Sequence, residues 1–458
     1  MKTLLYIIPL LWSGIFYAQK RPVQAKFDYP AEFKRISDEI LLNSNAYENL
    51  RQLTKDIGPR FSASPAYDKA VDWAIRKFEQ NGGENIRKQD VKVPVWSRGK
   101  ELVQIKPANG TWRTLRTLAL GGSEGTGGKD LTGEILLAKD LAEFNKLKNS
   151  EVKDKIVFFN YAFDQTLVNP GDAYAEAGKY RWSTPSSASR KGAKAVLTRA
   201  ATSGFDDVPH TGSMYYDELD KNKIPALTIS AKAADELENL LKSQTVTAKI
   251  NTTTTTKGEA VNHNVIAEIP GKDQKIIVVG AHLDTWDISE GAHDNGAGVV
   301  QVLEVLRAFK ALNYEPRHTI RFVLFANEEN GVTGGETYAA QAKKAGERHI
   351  FAIESDAGGY SPRGISLDMI PERRRLVFAW KNYFLPYGVY DFTQQSAAQD
   401  ILPLKRLGVP LAELVPDMQR YFEIHHTAND TFDKVNRREL NLGAVAIAQI
   451  VFMVDRNW

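Results

Sequence analysis

At 458 residues the chain is long enough for two or three domains, each with a sizeable core. Composition is that of an ordinary globular protein, and 59 Lys plus Arg against 56 Asp plus Glu leave a formal charge of only +3, so no global field points to nucleic acid. The absence of cysteine excludes disulfides, thiolate metal ligands, a cysteine nucleophile and a lipidated cysteine together.

The chain opens on MKTLLYIIPLLWSGIFYAQKR, in which Lys2 precedes an apolar run from Leu4 to Ala18 and charge then returns. The run is shorter than the ~18 residues of a membrane span and reads as a secretory signal peptide over 1–18, cut after Ala18, although Phe16 is larger than the usual small residue two places earlier. No other segment approaches a spanning length, and an exported chain without cysteine fits a bacterial periplasmic or secreted protein.

After the leader, AEFKRISDEILLNSNAYENLRQLTKDIGPR sets Ile36, Ile40, Leu50 and Leu53 at helical spacing and stops at Gly58 and Pro59. AYDKAVDWAIRKFEQNGG repeats the pattern and ends on a glycine pair suited to a helix C-terminus, and IRKQDVKVPVW alternates like a strand. Texture changes at LALGGSEGTGGKDLTGEILLAKD. Short strands at KIVFFN, AKAVLTRA and IPALTIS then alternate with helical stretches such as AADELENLLKS, up to the threonine-rich tract Asn251 to Thr256. The region from Gly121 to about Thr256 reads as an inserted α/β module with flexible borders.

From VNHNVIAEIPG onward the alternation is clearer. KIIVVGAH, TIRFVLFA, HIFAIESD and VPLAEL read as strands, while GAGVVQVLEVLRAFKAL, TYAAQAKKA and RRELNLGAVAIAQIVFMVD read as helices. The fold class is therefore α/β, with a mixed, mostly parallel central sheet flanked by helices and a smaller inserted α/β domain. Ligands of such sheets bind beyond the carboxyl ends of the strands.

Candidate ligands stand at those ends: His282 and Asp284 in VVGAHLD, Glu328 and Glu329 in RFVLFANEE, Asp356 in FAIESD, and His425 and His426 in EIHHTAND near the C-terminus. Two-residue spacing puts His282 and Asp284 on one side of an extended chain, where the carboxylate can orient the imidazole toward a metal, or both can belong to a surface turn. Asp294, beside Asn295 and the glycines that open a helix, taken alone reads better as an N-cap. Adjacent glutamates at a sheet edge call either for a cation or for full solvation. All the clusters in register after strands of one domain are harder to attribute to chance.

At this point the chain resembles the co-catalytic zinc exopeptidases of the M28 type, in particular the carboxypeptidase Q branch. The residues that carry the resemblance are HLDTWDISEGAHDNGAG, RFVLFANEENG, ESDAGG and HHTANDT, together with IGPRFSASPAY near the start and an insertion at 115–256 similar to a protease-associated domain. The peptidase domain is then split between 19–114 and 257–458. The resemblance implies two zinc ions, with cobalt or manganese as substitutes. His282 and Asp356 would hold one ion and Glu329 and His426 the other, with Asp294 bridging both and followed by a cis peptide to Asn295. His426 is preferred to His425 because it stands four residues before Asp430. Glu328 becomes the general base, Asp284 orients His282, and His425 takes the place where many relatives carry a tyrosine that stabilises the oxyanion.

The resemblance further implies a homodimer and hydrolysis of dipeptides or short peptides. Alternatives are a glutaminyl cyclase-like enzyme and a catalytically inactive peptide-binding protein of the same fold. GGSEGTGGKD lacks the Gly-Lys-Ser/Thr ending of a phosphate loop, and Ser186, Ser187 and Ser189 sit in no Gly-x-Ser-x-Gly elbow. PERRR at 371–375 reads as a solvated helix start. Specificity is expected in the loops DFTQQSAAQD and PDMQRYFEIHH, without a readable side-chain preference.

Overall fold

The computed structural model describes residues 27–396 and 398–458, so the predicted signal peptide lies outside the described residues. A seven-stranded sheet forms the larger unit, in the spatial order Glu84–Ser97, Thr255–Ile269, His318–Phe325, Asp273–His282, Arg348–Glu354, Leu411–Pro416, Pro362–Asp368. The four strands from His318–Phe325 to Leu411–Pro416 run parallel, and antiparallel strands flank them on both sides. The sheet is thus mixed with a parallel centre. Pro362–Asp368 was not expected as a strand: its proline, arginine and glycine mask the alternation, and it pairs only at the sheet edge.

Local sequence explains the helices that cover this sheet. Pro65–Gln80 starts on Ser64, whose side chain accepts the Tyr67 N–H at 3.1 Å, and buries Tyr67, Ala70, Val71, Ala74 and Phe78 on one face. Gly298–Ala311 is buried along most of its length, with Val299, Val302, Leu303, Val305, Leu306 and Phe309 in the core and its polar residues Gln301 and Glu304 bonded to Ser355 and Arg307. Each such apolar side chain contributes about 1.5–3 kcal/mol. A Cβ at Gly298 would lie 2.1 Å from the Ser355 carbonyl oxygen, so only glycine lets this helix begin against the end of a strand. Arg437–Asn457 closes the fold behind it, capped by the Asn436 side chain.

The smaller unit is an eight-stranded sheet in the order Arg113–Leu115, Glu101–Pro107, Val246–Thr252, Leu131–Ala138, Ile156–Phe159, Ala195–Arg199, Ala226–Ile229, Thr117–Ala119. It begins at Glu101, upstream of the boundary read at 115, because Glu101–Pro107 pairs with Val246–Thr252 and turns Val103 and Ile105 into the core. Its borders are also tied down where the sequence suggested flexible ones. Thr252 lies in a strand, Thr253 N–H reaches Lys100 O at 2.9 Å, and Gly125 N–H reaches Thr254 O at 3.0 Å. Threonine serves here because β-branching suits strands and the backbone can pair on both sides. Among the described residues no helix is long and apolar enough to cross a membrane.

Candidate metal centre

Three parallel strands end side by side. His282 pairs with Phe325, and Gly280 with Glu354, so the residues after each strand reach the same edge of the sheet. A Cβ at Gly280 would sit 2.6 Å from the Phe325 ring, which fixes glycine two residues before His282. The sequence-predicted residues His282, Asp284, Asp294, Glu328, Glu329, Asp356, His425 and His426 gather at this edge. His282, Asp284, Asp294, Glu329 and His425 are buried, while Glu328, Asp356 and His426 keep partial exposure.

Two donor groups share one carboxylate. His282 Nε2 lies 2.9 Å from Asp356 Oδ1 and 3.3 Å from Asp294 Oδ1. His426 Nε2 lies 3.2 Å from both Asp294 Oδ2 and Glu329 Oε2. His425 stacks on His426 with ring centroids 3.6 Å apart, and its Nε2 is 3.3 Å from Asp294 Oδ2. Three sets of donor atoms close enough to hold an ion result: Asp294 with His425 and His426, His282 with Glu328 and Asp356, and His282 with Asp294 and Glu329.

Whether metal ions fit can be read from the tautomers. His282 Nδ1 faces the Asp284 carbonyl at 3.0 Å and His426 Nδ1 faces the Thr211 carbonyl at 3.2 Å. A carbonyl only accepts, so both protons sit on Nδ1 and each Nε2 turns a lone pair toward carboxylates. That arrangement is repulsive unless a second proton or a cation stands between. Asp294 Oδ2 is buried with no hydrogen-bond partner among the described residues, another acceptor without a donor. Nitrogen and oxygen donors without sulfur suit zinc, cobalt or manganese.

Proton affinities follow the crowding. Burial, then the charges of Asp356, Asp294 and Asp284, push Glu328 well above the usual carboxylate range. Burial and Asp294 do the same to Glu329. Burial lowers His426, in keeping with a neutral ring.

The surroundings fix the ligating side chains. Asp284 acts on His282 through its backbone carbonyl; its carboxylate stands 3.7 Å from the ring and instead accepts the N–H groups of Glu328 at 3.1 Å and Glu329 at 3.3 Å. The expectation of a carboxylate orienting the imidazole is corrected accordingly. The strand ends at His282, and the Asp284 side chain beyond it reaches the neighbouring strand end at Glu328 and Glu329. The Asp294–Asn295 peptide is cis, and the Asn295 side chain donates to Ser355 O at 2.8 Å.

Several contributors carried no readable signal. Arg60 is fully buried and donates to the carbonyls of Leu283, Glu290 and Gly291 at 2.7, 2.9 and 3.1 Å, supporting the loop between His282 and Asp294. Its motif stands out only by resemblance. Thr211, from the smaller sheet's unit, lies 215 residues before His426, and nothing in its local sequence points there.

The sequence pattern of peptidase family M28 matches residues 264–451. Carboxypeptidase Q of Xenopus laevis is 30% identical over 415 residues, covering 90% of this chain and 86% of its own. A solved peptidase M28 precursor from Shewanella amazonensis SB2B has a TM-score of 0.88 at 32% identity, covering 93% of this chain and 96% of its own. A zinc aminopeptidase from Bacillus subtilis shares the fold, with a TM-score of 0.64 at 21% identity and coverage of 89% of this chain and 94% of its own.

Proposed function

Since the chain belongs to peptidase family M28 and is a metallo-exopeptidase, we propose that it is an exported dinuclear zinc enzyme that hydrolyses dipeptides and short peptides from a free end. The observation that carries this reading is the pair of imidazoles, each protonated at Nδ1 against a carbonyl and each turning Nε2 toward carboxylates, with Asp294 between them. His282 and Asp356 would hold one ion and Glu329 and His426 the other, with Asp294 available to both. Bound there, two divalent ions supply Lewis acidity toward a peptide carbonyl and acidify water near neutral pH.

The remaining work falls to the chain's own groups. Glu328 takes the proton from the attacking water as its oxygen bonds to the carbonyl carbon, then returns it to the amine as the C–N bond breaks. To His425, beside Asp294, we assign the donation of a hydrogen bond to the carbonyl oxygen as it gains charge. We assign the smaller unit as a protease-associated domain. Its helix Pro170–Trp182 brings Tyr174 onto Phe422, with centroids 4.6 Å apart, and against His425 at 4.9 Å, a wall that favours short substrates. A homodimer is part of the same reading, and the native mass of the purified chain tests it.

Digestion of a defined peptide mixture, read by mass spectrometry with and without chelator, tests the reaction. Removal of terminal residues and splitting of dipeptides, abolished by chelator and restored by zinc, is the expected result. Failure to cut any peptide under zinc, cobalt or manganese supplementation would overturn it; cyclisation of N-terminal glutamine without hydrolysis would replace it with the cyclase reading.

A further inference from the structure

Of the two metal-facing imidazoles, one is oriented from within the large sheet's unit and the other from outside it. His282 leans on the carbonyl of Asp284, two residues along the same chain. His426 instead exchanges two hydrogen bonds with Thr211, which lies on the segment between the strands Ala195–Arg199 and Ala226–Ile229 of the smaller unit. Thr211 N–H donates to His426 O at 3.0 Å, and His426 Nδ1–H donates to Thr211 O at 3.2 Å. The His426 backbone has φ +61°, a left-handed conformation that a non-glycine residue keeps only where its surroundings hold it. The preceding carbonyl, of His425, accepts from His210 Nδ1 at 2.8 Å, so the same segment grips both histidines.

Arg181 holds that segment. The residue is 6% exposed, and its guanidinium bonds carbonyls and a hydroxyl. It donates from Nη1 to Thr211 O at 3.2 Å, from Nε to Ser213 O at 3.1 Å and from Nη2 to the Tyr174 hydroxyl at 2.8 Å. The Thr211 carbonyl therefore accepts from Arg181 and from His426 together, using both lone pairs. A Cβ on Gly212, at φ +139°, would lie 2.3 Å from the guanidinium carbon, so glycine is required for the cation to lie flat against this turn. A buried cation spent on two carbonyls and a phenol orients backbone and neutralises no acid.

We propose that the inserted unit is part of the metal-holding machinery, with the Thr211 carbonyl, locked by the positioning residue Arg181, fixing the tautomer and orientation of His426. This rests on the dinuclear reading above and deepens it. The ion held by Glu329 and His426 depends on docking of the inserted unit, and the ion held by His282 and Asp356 does not. Outer contacts of this kind change metal affinity about 10–100-fold.

The test compares the full mature chain with Arg181→Met and Tyr174→Phe, the second removing only the hydroxyl that anchors Nη2. Arg199→Met serves as a control, since it removes another arginine of the inserted unit, one that pairs with Asp235, and leaves the 210–213 segment untouched. Zinc is titrated against a chromophoric chelator, and the visible spectrum of the cobalt-loaded protein is recorded. In Arg181→Met we expect one of two zinc sites to weaken about 10–100-fold with a shifted cobalt band, a smaller shift of the same sign in Tyr174→Phe, and parent behaviour in Arg199→Met. If Arg181→Met does not fold, Tyr174→Phe decides alone. Two sites of parent affinity and an unchanged cobalt spectrum in the variants would overturn this inference while leaving the dinuclear reading intact; a parent chain that binds no metal would overturn both.

Discussion

The carboxylate of Asp430 accepts the backbone N–H of Asp294 at 2.9 Å, and that of His293 at 2.7 Å. These two bonds hold the main chain of the residue whose side chain stands between both donor pairs. Burial pushes Asp430 up to about 7, against the pull of the two N–H groups. Asparagine at 430 would offer one acceptor and turn an amide against the other N–H. Asp430→Asn is expected to weaken zinc binding about 10-fold, and Asp430→Ala more, by competition with a chelator. Unchanged affinity in both variants would show that Asp294 needs no such support.

Glu328→Gln separates proton transfer from metal holding. The amide keeps the shape and the backbone contacts to Asp284 but accepts no proton, so kcat should fall about 100- to 10,000-fold with the metal content unchanged. Asp294→Ala should lose the ions themselves, since both imidazoles face that carboxylate. Elemental analysis beside dipeptide turnover reads both outcomes; near-parental hydrolysis by Glu328→Gln would remove it from the reaction.

His425 has two candidate occupations, hydrogen-bond donor to the reacting carbonyl and nitrogen ligand in the set it forms with Asp294 and His426. As a donor its loss in His425→Phe should lower kcat about 100- to 1000-fold, with little change in KM or metal content. Loss of one zinc from this variant would make it a ligand instead.

Most of the parallel centre and the address of the site were legible in the sequence for a physical reason. Strands buried on both faces must be continuous apolar runs, and charged residues directly after such runs, as at His282, Glu328 and Asp356, lie at one edge once the strands adjoin. What escaped was contact between distant segments. Glu101–Pro107 joins the smaller sheet by pairing with Val246–Thr252 across some 140 residues, and Thr211 reaches His426 through its backbone carbonyl, a group every residue possesses. The role of the Asp284 carboxylate was misread because spacing in an extended strand stops predicting side-chain direction where the strand ends. Arg60 was visible only as part of a resembling motif, since a buried arginine that bonds carbonyls leaves no periodic trace.

Acid sensitivity of the fold is expected from a group well away from the metal centre. His349 is the second residue of the strand Arg348–Glu354, at the end opposite the site, and its Nε2 lies 2.8 Å from the Tyr338 hydroxyl, from which the neutral ring accepts. Burial, then the nearby Arg321 guanidinium, pull its pKa from 6.5 down to about 4. Because the folded value is the lower one, its stabilisation is complete above about pH 6.5, where the ring is neutral folded or unfolded, and declines as pH falls toward about 4 while only the unfolded chain takes up the proton. Each pKa unit is worth about 1.4 kcal/mol, so the loss reaches about 3 kcal/mol at most. Glutamine at 349 can still accept from Tyr338 but has no such proton to gain. Urea midpoints at pH 7.5 and pH 5 should therefore fall less on acidification in His349→Gln than in the parent; an equal fall in both would place the acid sensitivity elsewhere.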